Sequence, residues 1–467
     1  MTLRDHDLHE MPAPPRFRDL VGPSFILLGL GLGSGELILW PYLTANFGLG
    51  VIWAAVLGIT LQFFINMEIE RYSLVRGESI FVGFARKFRL APFWFIFSTL
   101  SAFIWPGIIA SSARLIGAVF GIEQTNYIAV GMLILIGIIL TAGPVLYKTV
   151  EKFSMFLIGL GIPAIFVLAL YLAKIADWSV LLNGIVGMGK LPDGSLYQFL
   201  PAGLPIASFL AAFAFSGAGG NLNLAQSFYI KEKGYGMGKY GGRITSVLTG
   251  SVEDVQLEGA KFEMNKENIG RFERWWSLVN REHFLVFWLT GIFAISLLAL
   301  LSYSTVFGHV TPSAGIGFIL YEASNIAKNT FPVFGVLFLI IGGLMLFSTQ
   351  MTVLDATSRI VAENVLIIKH NIWHPKNLSK IYYVVLWIQI VFGGLILFTR
   401  FNEPLVLLTL EAVINAAAMF VHIGATTFLN LSVLENEVKP SLPRILVMLG
   451  SFIFFGFFTI KTLLQYI

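Results

Sequence analysis

The 467-residue sequence contains no cysteine and few charged residues. Without cysteine, the chain has no disulfide, no thiolate nucleophile and no Cys-based metal site. Charged residues make up 12% of the sequence, about half of the roughly 25% that a soluble globular domain carries. An ordinary soluble enzyme is therefore excluded. The formal net charge of +4 is too small, and too concentrated in loops, to indicate a nucleic-acid partner.

What the sequence has instead is apolar runs of about 20 residues, the length of one membrane crossing. Eleven spans are predicted, near residues 21–47, 49–73, 93–121, 126–146, 151–176, 203–230, 283–307, 332–357, 381–399, 404–430 and 444–466. The polar, proline-containing first twenty residues are typical of a cytoplasmic tail and not of a cleaved signal peptide. We therefore predict an all-α polytopic membrane protein with a tail over 1–20, a core over 21–430 and an additional helix over 444–467.

Lys and Arg are distributed unevenly between alternate loops, which predicts the orientation in the membrane. Of the 31 Lys and Arg residues, 25 lie in the tail and in the loops near 72–92, 147–152, 231–281, 359–380 and 431–444. Five lie in the opposite set, and Arg114 falls within span three. We expect an integral protein of the plasma (inner) membrane with a cytoplasmic amino terminus. Because the number of spans is odd, the carboxyl terminus is expected outside.

The loop over residues 231–281 is the longest, and its second half predicts an amphipathic helix. The apolar face of that helix comprises Ile269, Phe272, Trp275, Trp276 and Leu278. Such a face is typical of a helix that lies on the headgroups of the membrane. A regulatory site in this loop is the alternative.

Spans one and six each carry glycines and polar residues in the middle of an apolar segment. Residues 29–36 read GLGLGSGE, and residues 216–223 read SGAGGNLN. A glycine inside a helix costs about 0.8–1 kcal/mol relative to alanine. Non-helical backbone at membrane depth is tolerated only within protein or beside a cavity. These two broken segments are the candidate site, with close helix packing as the alternative explanation of the glycines.

The positions of the two broken spans predict an internal repeat. Each opens a block of five spans, and an odd block length turns the second block upside down relative to the first. This arrangement predicts a 5+5 inverted repeat whose discontinuous helices meet near the bilayer midplane. Repeat one would cover about 21–178 and repeat two about 203–430.

Two carboxylates lie within the predicted spans, where an ionised group is costly and usually functional. Glu36 follows the first break, where the N–H groups of the next half-helix favour its anionic form. Glu411 lies in span ten, one turn before Asn415. Carboxylate and amide oxygens form a hard ligand set that suits Mg²⁺, Mn²⁺ or Ca²⁺. Alternatively, Glu411 pairs with Arg114, or Glu36 carries a proton or faces a sodium ion or an organic amine.

Three parts of the sequence resemble the Nramp family of divalent metal transporters. They are Gly22-Pro23 before the broken first span, the Gly- and Asn-containing sixth span, and the text of span two, LGVIWAAVLGITLQFFINMEIERYSLVRGES. The resemblance covers residues 21–430. It implies a LeuT-like inverted-repeat fold with broken helices 1 and 6, and metal transport by alternating access.

The sequence departs from the family at the family's metal site. Residues 33–36 read Gly-Ser-Gly-Glu where the family has Asp-Pro-Gly-Asn, and residues 218–221 read Ala-Gly-Gly-Asn where it has Met-Pro-His-Asn. Glu411 aligns with the family's coordinating Gln of span ten. The lost thioether implies a harder site, and Ala and Gly in place of Met, Pro and His imply a larger one, which suits a reluctantly dehydrating ion such as Mg²⁺. The family's acidic residues of span three and arginines of span nine have no counterpart, so we expect no such proton coupling.

Together these features predict an alternating-access transporter of a hard divalent cation, Mg²⁺ or Mn²⁺. The predicted metal ligands are Glu36, Glu411, Asn221 and the main chain around Leu30 and Phe215. The predicted cavity lining comprises Gly33, Ser34, Gly35, Ala218, Gly219, Gly220, Asn223 and Asn415. We expect no cofactor, no enzymatic activity, a monomeric state, and the bilayer and the metal ion as partners. A transporter of an amino acid or organic cation, and a non-transporting membrane sensor, are the alternatives.

Overall fold

The protein is described by a computed structural model over residues 3–17, 20, 22–33, 35–143, 146–242, 244, 256–309, 315–399 and 404–464. Within these ranges the chain is built almost entirely from helices, as its apolar runs predict. Two short strand pairs are also present. Strand β1 (Asp7–Leu8) runs parallel to β4 (Ala260–Lys261), and β2 (Met188–Lys190) runs antiparallel to β3 (Leu196–Gln198).

The helices follow the predicted order of spans, with short helices in the connections. The first half contains α1 (Pro23–Gly31), α2 (Trp40–Phe47), α3 (Ile52–Arg76), α4 (Ile80–Lys87), α5 (Ala91–Phe103), α6 (Gly107–Phe120), α7 (Thr125–Ala142), α8 (Leu146–Leu172) and α9 (Ile175–Ile185). The second half contains α10 (Ile206–Ala214), α11 (Gln226–Lys233), α12 (Lys266–His283), α13 (Thr290–Val306), α14 (Ile316–Asn329), α15 (Pro332–Ile368), α16 (Leu378–Ile396), α17 (Pro404–Val433) and α18 (Leu442–Leu463).

Nine helical segments of the described chain are long and apolar enough to cross a bilayer, and α1 with α2, bent by 40°, makes a tenth. The remaining predicted span is span six. Its halves, α10 and α11, have nine and eight residues, so neither would cross a bilayer alone. The prediction of about eleven spans, with spans one and six broken, is therefore confirmed.

Span three is broken as well, between α5 and α6. The break falls at Pro106, whose ring removes a main-chain N–H donor from the helix. Gly107 follows directly and lies against span ten, because a Cβ at this position would come within 3.1 Å of the main-chain nitrogen of Leu408. Span three, predicted as one run over 93–121, is thus interrupted by three non-helical residues.

The amino-terminal tail packs on one end of the helix bundle, which we call the tail face. His6 Nε2 lies 3.1 Å from a carboxylate oxygen of Glu78, in the connection between α3 and α4. Tyr240 Oη donates to the Glu10 carbonyl at 3.1 Å, and its ring stacks on His9. The tail is therefore held by the connections that follow spans two and six.

The connection between spans ten and eleven lies on the same tail face. Arg76 of α3 donates to both carboxylate oxygens of Glu435 at 3.0 Å, which joins the ends of spans two and ten. Arg444, at the start of α18, lies 3.2 Å from Glu68. The connections that follow spans two, six and ten thus lie at one end of the bundle, as expected from the uneven distribution of Lys and Arg.

The predicted amphipathic helix of the long loop is α12, but its apolar face does not face lipid alone. Phe272 and Trp275 are 4% and 3% exposed within the protein. Trp275 Nε1 donates to the carbonyl of Pro12 at 2.8 Å, and Arg271 donates to the carbonyl of Met11 at 2.8 Å. The helix binds the amino-terminal tail, because hydrophobic periodicity identifies a buried face without identifying what covers it.

A buried carboxylate on α14, opposite the tail face, gives a pH-dependent prediction. Glu322 is 1% exposed, and burial raises its pKa from 4.5 to about 8. Between pH 4.5 and 8 the folded state therefore holds a proton that the unfolded chain has already released. The free energy of unfolding falls as the pH rises through this window. We expect Glu322→Gln to be more stable than the wild type by a margin that grows from pH 5 to 8, at up to about 1.4 kcal/mol per pH unit.

Thermal unfolding in detergent at several pH values measures this margin. The matched control is Glu123→Gln, because Glu123 is an exposed carboxylate. A margin for Glu322→Gln that stays constant between pH 5 and 8 would contradict the prediction.

Candidate functional site

The break in span one is formed by glycines that lie against other spans. α1 ends at Gly31, and a π-helical turn over Gly35–Leu39 precedes α2. A Cβ on Gly33 would come within 2.6 Å of Thr349 Oγ1 in span eight, and Thr349 donates to the carbonyl of Gly29 at 3.0 Å. A Cβ on Gly35 would overlap the carbonyl oxygen of Phe215. Only glycine permits this contact between the two broken spans.

The break in span six is stabilised by Gln62, which was not among the predicted site residues. Gln62 of α3 donates to the carbonyl of Ala214 at 3.0 Å and accepts from the main-chain N–H of Gly219 at 3.1 Å. It also accepts from Asn223 Nδ2 at 3.3 Å. Gln62 thus pairs with main-chain groups on both sides of the unwound segment. Its signal in the sequence was an amide in the apolar middle of span two, four residues before Asn66.

Glu36 lies in the space between the two breaks. It is fully buried and no side chain of the described residues donates to its carboxylate, which interacts with the main-chain N–H groups of Gly33 and of Glu36 itself. A Cβ on Gly31 would come within 3.1 Å of Glu36 Oε1 and within 3.0 Å of Gly217 Cα. The carboxylate therefore turns back towards the end of α1, where it adjoins the glycines of span six.

Asn221 and Asn223 are also buried, and each uses its amide nitrogen within the protein. Asn221 Nδ2 donates to Ser98 Oγ at 2.7 Å and to Thr99 Oγ1 at 2.9 Å, both on α5. Within the described part of the chain, the side-chain oxygens of Asn221 and Asn223 have no partner. The amide geometry leaves two acceptors available beside the sixth-span break.

Span ten contributes Glu411 and Asn415. A Cβ on Gly220 would overlap Asn415 Oδ1, so this side chain touches the break in span six. Both residues are buried and no side chain of the described residues donates to them, while the main-chain N–H of Gly107 interacts with the Glu411 carboxylate. The alternative ion pair between Glu411 and Arg114 is therefore not formed. His422 Nε2 lies 3.0 Å from the carbonyl oxygen of Gly220, in a packing role.

The other predicted residues fall around the same two breaks. Leu30 lies in the last turn of α1, and Phe215 follows α10, with its carbonyl directed at Gly35. Ala218, Gly219 and Gly220 are buried. Ser34 lies outside the described residues.

The site is dominated by oxygen atoms that accept hydrogen bonds and lack side-chain donors. In the described chain, the oxygens that no side-chain donor reaches are those of the Glu36 and Glu411 carboxylates and the amide oxygens of Asn221, Asn223 and Asn415, and Asn415 Nδ2 is an unpartnered donor beside them. A buried polar group without a partner costs about 1–3 kcal/mol, so the arrangement favours a ligand that supplies positive charge. No group of three His, Asp or Glu side chains in the described ranges could hold a metal ion, so amide and main-chain oxygens would have to complete its coordination.

Comparison with known proteins identifies the fold. No protein-family model and no curated protein matches the sequence. Among solved structures, a variant of the Eremococcus coleocola manganese transporter matches with a TM-score of 0.53 at 12% identity, over 98% of both chains. The chain has the LeuT-like fold.

A second solved structure supports the same fold. MhsT in complex with L-phenylalanine matches with a TM-score of 0.52 at 15% identity, over 95% of this chain and 98% of MhsT. The LeuT-like fold thus extends over nearly the whole chain, as the 5+5 repeat predicts. It is a fold that transporters of different solutes share, so the solute has to be argued from the site.

Proposed function

We propose that the protein is an alternating-access transporter of a hard divalent cation, Mg²⁺ or Mn²⁺. The observation that carries the proposal is the group of buried oxygens around the two broken spans that no side-chain donor reaches, with Glu36 and Glu411 as its carboxylates. Glu36, Glu411, Asn221 and the main chain at Leu30 and Phe215 would hold the ion. Carboxylate and carbonyl oxygens are the ligands that Mg²⁺ and Mn²⁺ prefer.

The close approach of the two breaks favours a small cargo. A Cβ on Gly31 would come within 3.0 Å of Gly217 Cα, and a Cβ on Gly35 would overlap the Phe215 carbonyl oxygen, so little space separates the broken spans. The manganese transporter among the solved structures gives independent support for an ion. With the tail face in the cytoplasm, a negative-inside potential would favour cation entry by about 2.3 kcal/mol per charge per 100 mV.

An amino acid or organic cation is the second candidate, because MhsT holds L-phenylalanine on the same fold. An amino acid brings a carboxylate as well as an ammonium group, and the carboxylate would need donors. Among the described side chains of the site, Glu36, Glu411 and Asn221 have unpartnered acceptor oxygens, and the one unpartnered amide donor is Asn415 Nδ2. The site therefore suits a cation better than a zwitterion.

The test is uptake into proteoliposomes of Mg²⁺, Mn²⁺, Ca²⁺ and a panel of amino acids. We expect saturable uptake of Mg²⁺ or Mn²⁺ by the wild type, at least tenfold slower uptake by Glu411→Gln, and unchanged uptake by Glu273→Gln, an exposed carboxylate on α12.

Three outcomes would contradict this proposal in different ways. Saturable amino-acid uptake without cation uptake would overturn the substrate class. Cation uptake unchanged by Glu411→Gln would remove this residue from the site. Absence of uptake for every solute would favour a membrane sensor.

A further inference from the structure

Span two carries a buried polar stripe that runs from the candidate site to the tail face. Gln62, Asn66 and Glu70 follow one another at intervals of four residues on α3, so they lie along one side of the helix. All three are at most 1% exposed. Eight residues of α-helix cover about 12 Å, roughly the distance from the bilayer midplane to its edge.

At one end of this stripe, Gln62 contacts the broken segment of span six. Gln62 binds the main chain on both sides of the break and accepts from Asn223, as described above. The amide oxygen of Asn223 has no partner in the described chain. The stripe therefore begins beside the residues that the proposed function assigns to the ion.

At the other end of the stripe, Glu70 faces α11, which continues span six towards the tail face. Gln226, the first residue of α11, donates through Nε2 to Glu70 Oε2 at 3.2 Å. Glu70 Oε1, Gln226 Oε1 and Asn66 Oδ1 have no hydrogen-bond partner among the described residues. Three buried acceptors, one of them on a carboxylate, are thus left without a donor within one turn of α3 and at the start of α11.

The groups on the other side of this place are occupied. Glu282, the second carboxylate here, accepts from the main-chain N–H of Gly22 at 3.3 Å and from Ser24 Oγ. His283 Nδ1 lies 2.7 Å from Ser24 Oγ, and His283 Nε2 lies 3.3 Å from Asn66 Nδ2. These contacts fix the start of α1 and leave the acceptors of α3 and α11 unpaired.

We propose that Glu70, with the amide oxygens of Asn66 and Gln226, forms a second cation site between the central site and the tail face. This inference rests on the proposed function, since it gives the transported ion a second stop on its way through the protein. One carboxylate and two amide oxygens make a weaker site than the central one, because affinity for hard cations rises with the number of charged ligands. A weak site near the exit binds the ion and then releases it.

Binding of Mn²⁺ alone, measured by electron paramagnetic resonance in detergent, tests the site without transport. The background is the double variant Glu36→Gln/Glu411→Gln, which removes both central carboxylates. In this background we expect Glu70→Gln to weaken the remaining Mn²⁺ binding at least tenfold. We expect Gln226→Glu, which adds a second carboxylate, to tighten it at least threefold, and Glu273→Gln to leave it unchanged.

Uptake kinetics test the role of the site in an otherwise native chain. Glu70→Gln should lower the maximal uptake rate by about tenfold while the half-saturating cation concentration changes less than about twofold, because the central site still loads the ion. An increase in the half-saturating concentration with an unchanged maximal rate would overturn the assignment of Glu70 to the exit.

The two proposals fail separately. If Mn²⁺ binding in the double variant does not respond to Glu70→Gln or to Gln226→Glu, the second site is wrong even where the wild type takes up cations. If that binding responds to both substitutions but the wild type moves no cation, the second site stands as a binding site and the transport proposal is wrong. If Glu70→Gln does not fold, the effect of Gln226→Glu on Mn²⁺ binding tests the second site.

Discussion

Replacement of Glu36 by Gln is expected to stabilise the ion-free protein and to remove most of the stabilisation that the ion provides. The wild type buries a carboxylate that no side-chain donor or cation of the described chain reaches, and such a group costs several kcal/mol when ionised. Gln keeps the shape and removes the charge. We expect the free energy of unfolding without ion to rise by about 1–3 kcal/mol.

Addition of the ion should reverse the order of the two proteins. A ligand at 100 times its dissociation constant stabilises the folded state by about 2.7 kcal/mol. The wild type should gain this amount with Mn²⁺, and Glu36→Gln should gain only what weaker sites provide. Uptake of Mn²⁺ into proteoliposomes should be lost in the same variant.

Thermal unfolding with and without Mn²⁺ measures both effects, with Glu123→Gln as the exposed carboxylate control. A Glu36→Gln variant that is less stable than the wild type without ion would show that the carboxylate has a structural role. An equal Mn²⁺-induced shift in both proteins would place the ion elsewhere.

The positions of the broken spans were predictable because glycine acts locally. A run such as residues 29–36 disfavours a helix wherever it stands, and an apolar segment leaves few other reasons for it. Pro106 acts locally in the same way, but its break in span three was not among the predictions. Polar residues inside apolar spans were equally visible, and the interval of four between Gln62, Asn66 and Glu70 already places them along one side of a helix.

The partners of the site residues were not predictable, because they come from distant parts of the chain. Asn221 binds Ser98 and Thr99, which precede it by more than 120 residues. The sequence left Glu411 with two alternatives, and only packing shows that Arg114 is not its partner. Periodicity likewise identified the apolar face of α12 but could not distinguish lipid from the tail at Pro12.

The helices that form the site are also held together by a buried ion network nearer the tail face. Arg359 of α15 is fully buried, donates to Asp355 Oδ1 at 2.8 Å and pairs with Glu232 of α11. Tyr382 of α16 donates to the same Asp355 oxygen at 2.9 Å. The network fixes the second half of broken span six against spans eight and nine, so the position of the unwound segment depends on it.

Replacement of Arg359 by Met is therefore expected to lower the free energy of unfolding by about 3–5 kcal/mol, because Asp355 and Glu232 remain as buried charges without their cation. The triple variant Arg359→Met/Asp355→Asn/Glu232→Gln removes all three charges and should recover most of this loss, since a buried ion group contributes little net stability over neutral residues. Denaturant or thermal unfolding in detergent compares the variants. A loss below about 1 kcal/mol for Arg359→Met, or a triple variant no more stable than the single one, would show that the network does not hold span six in place.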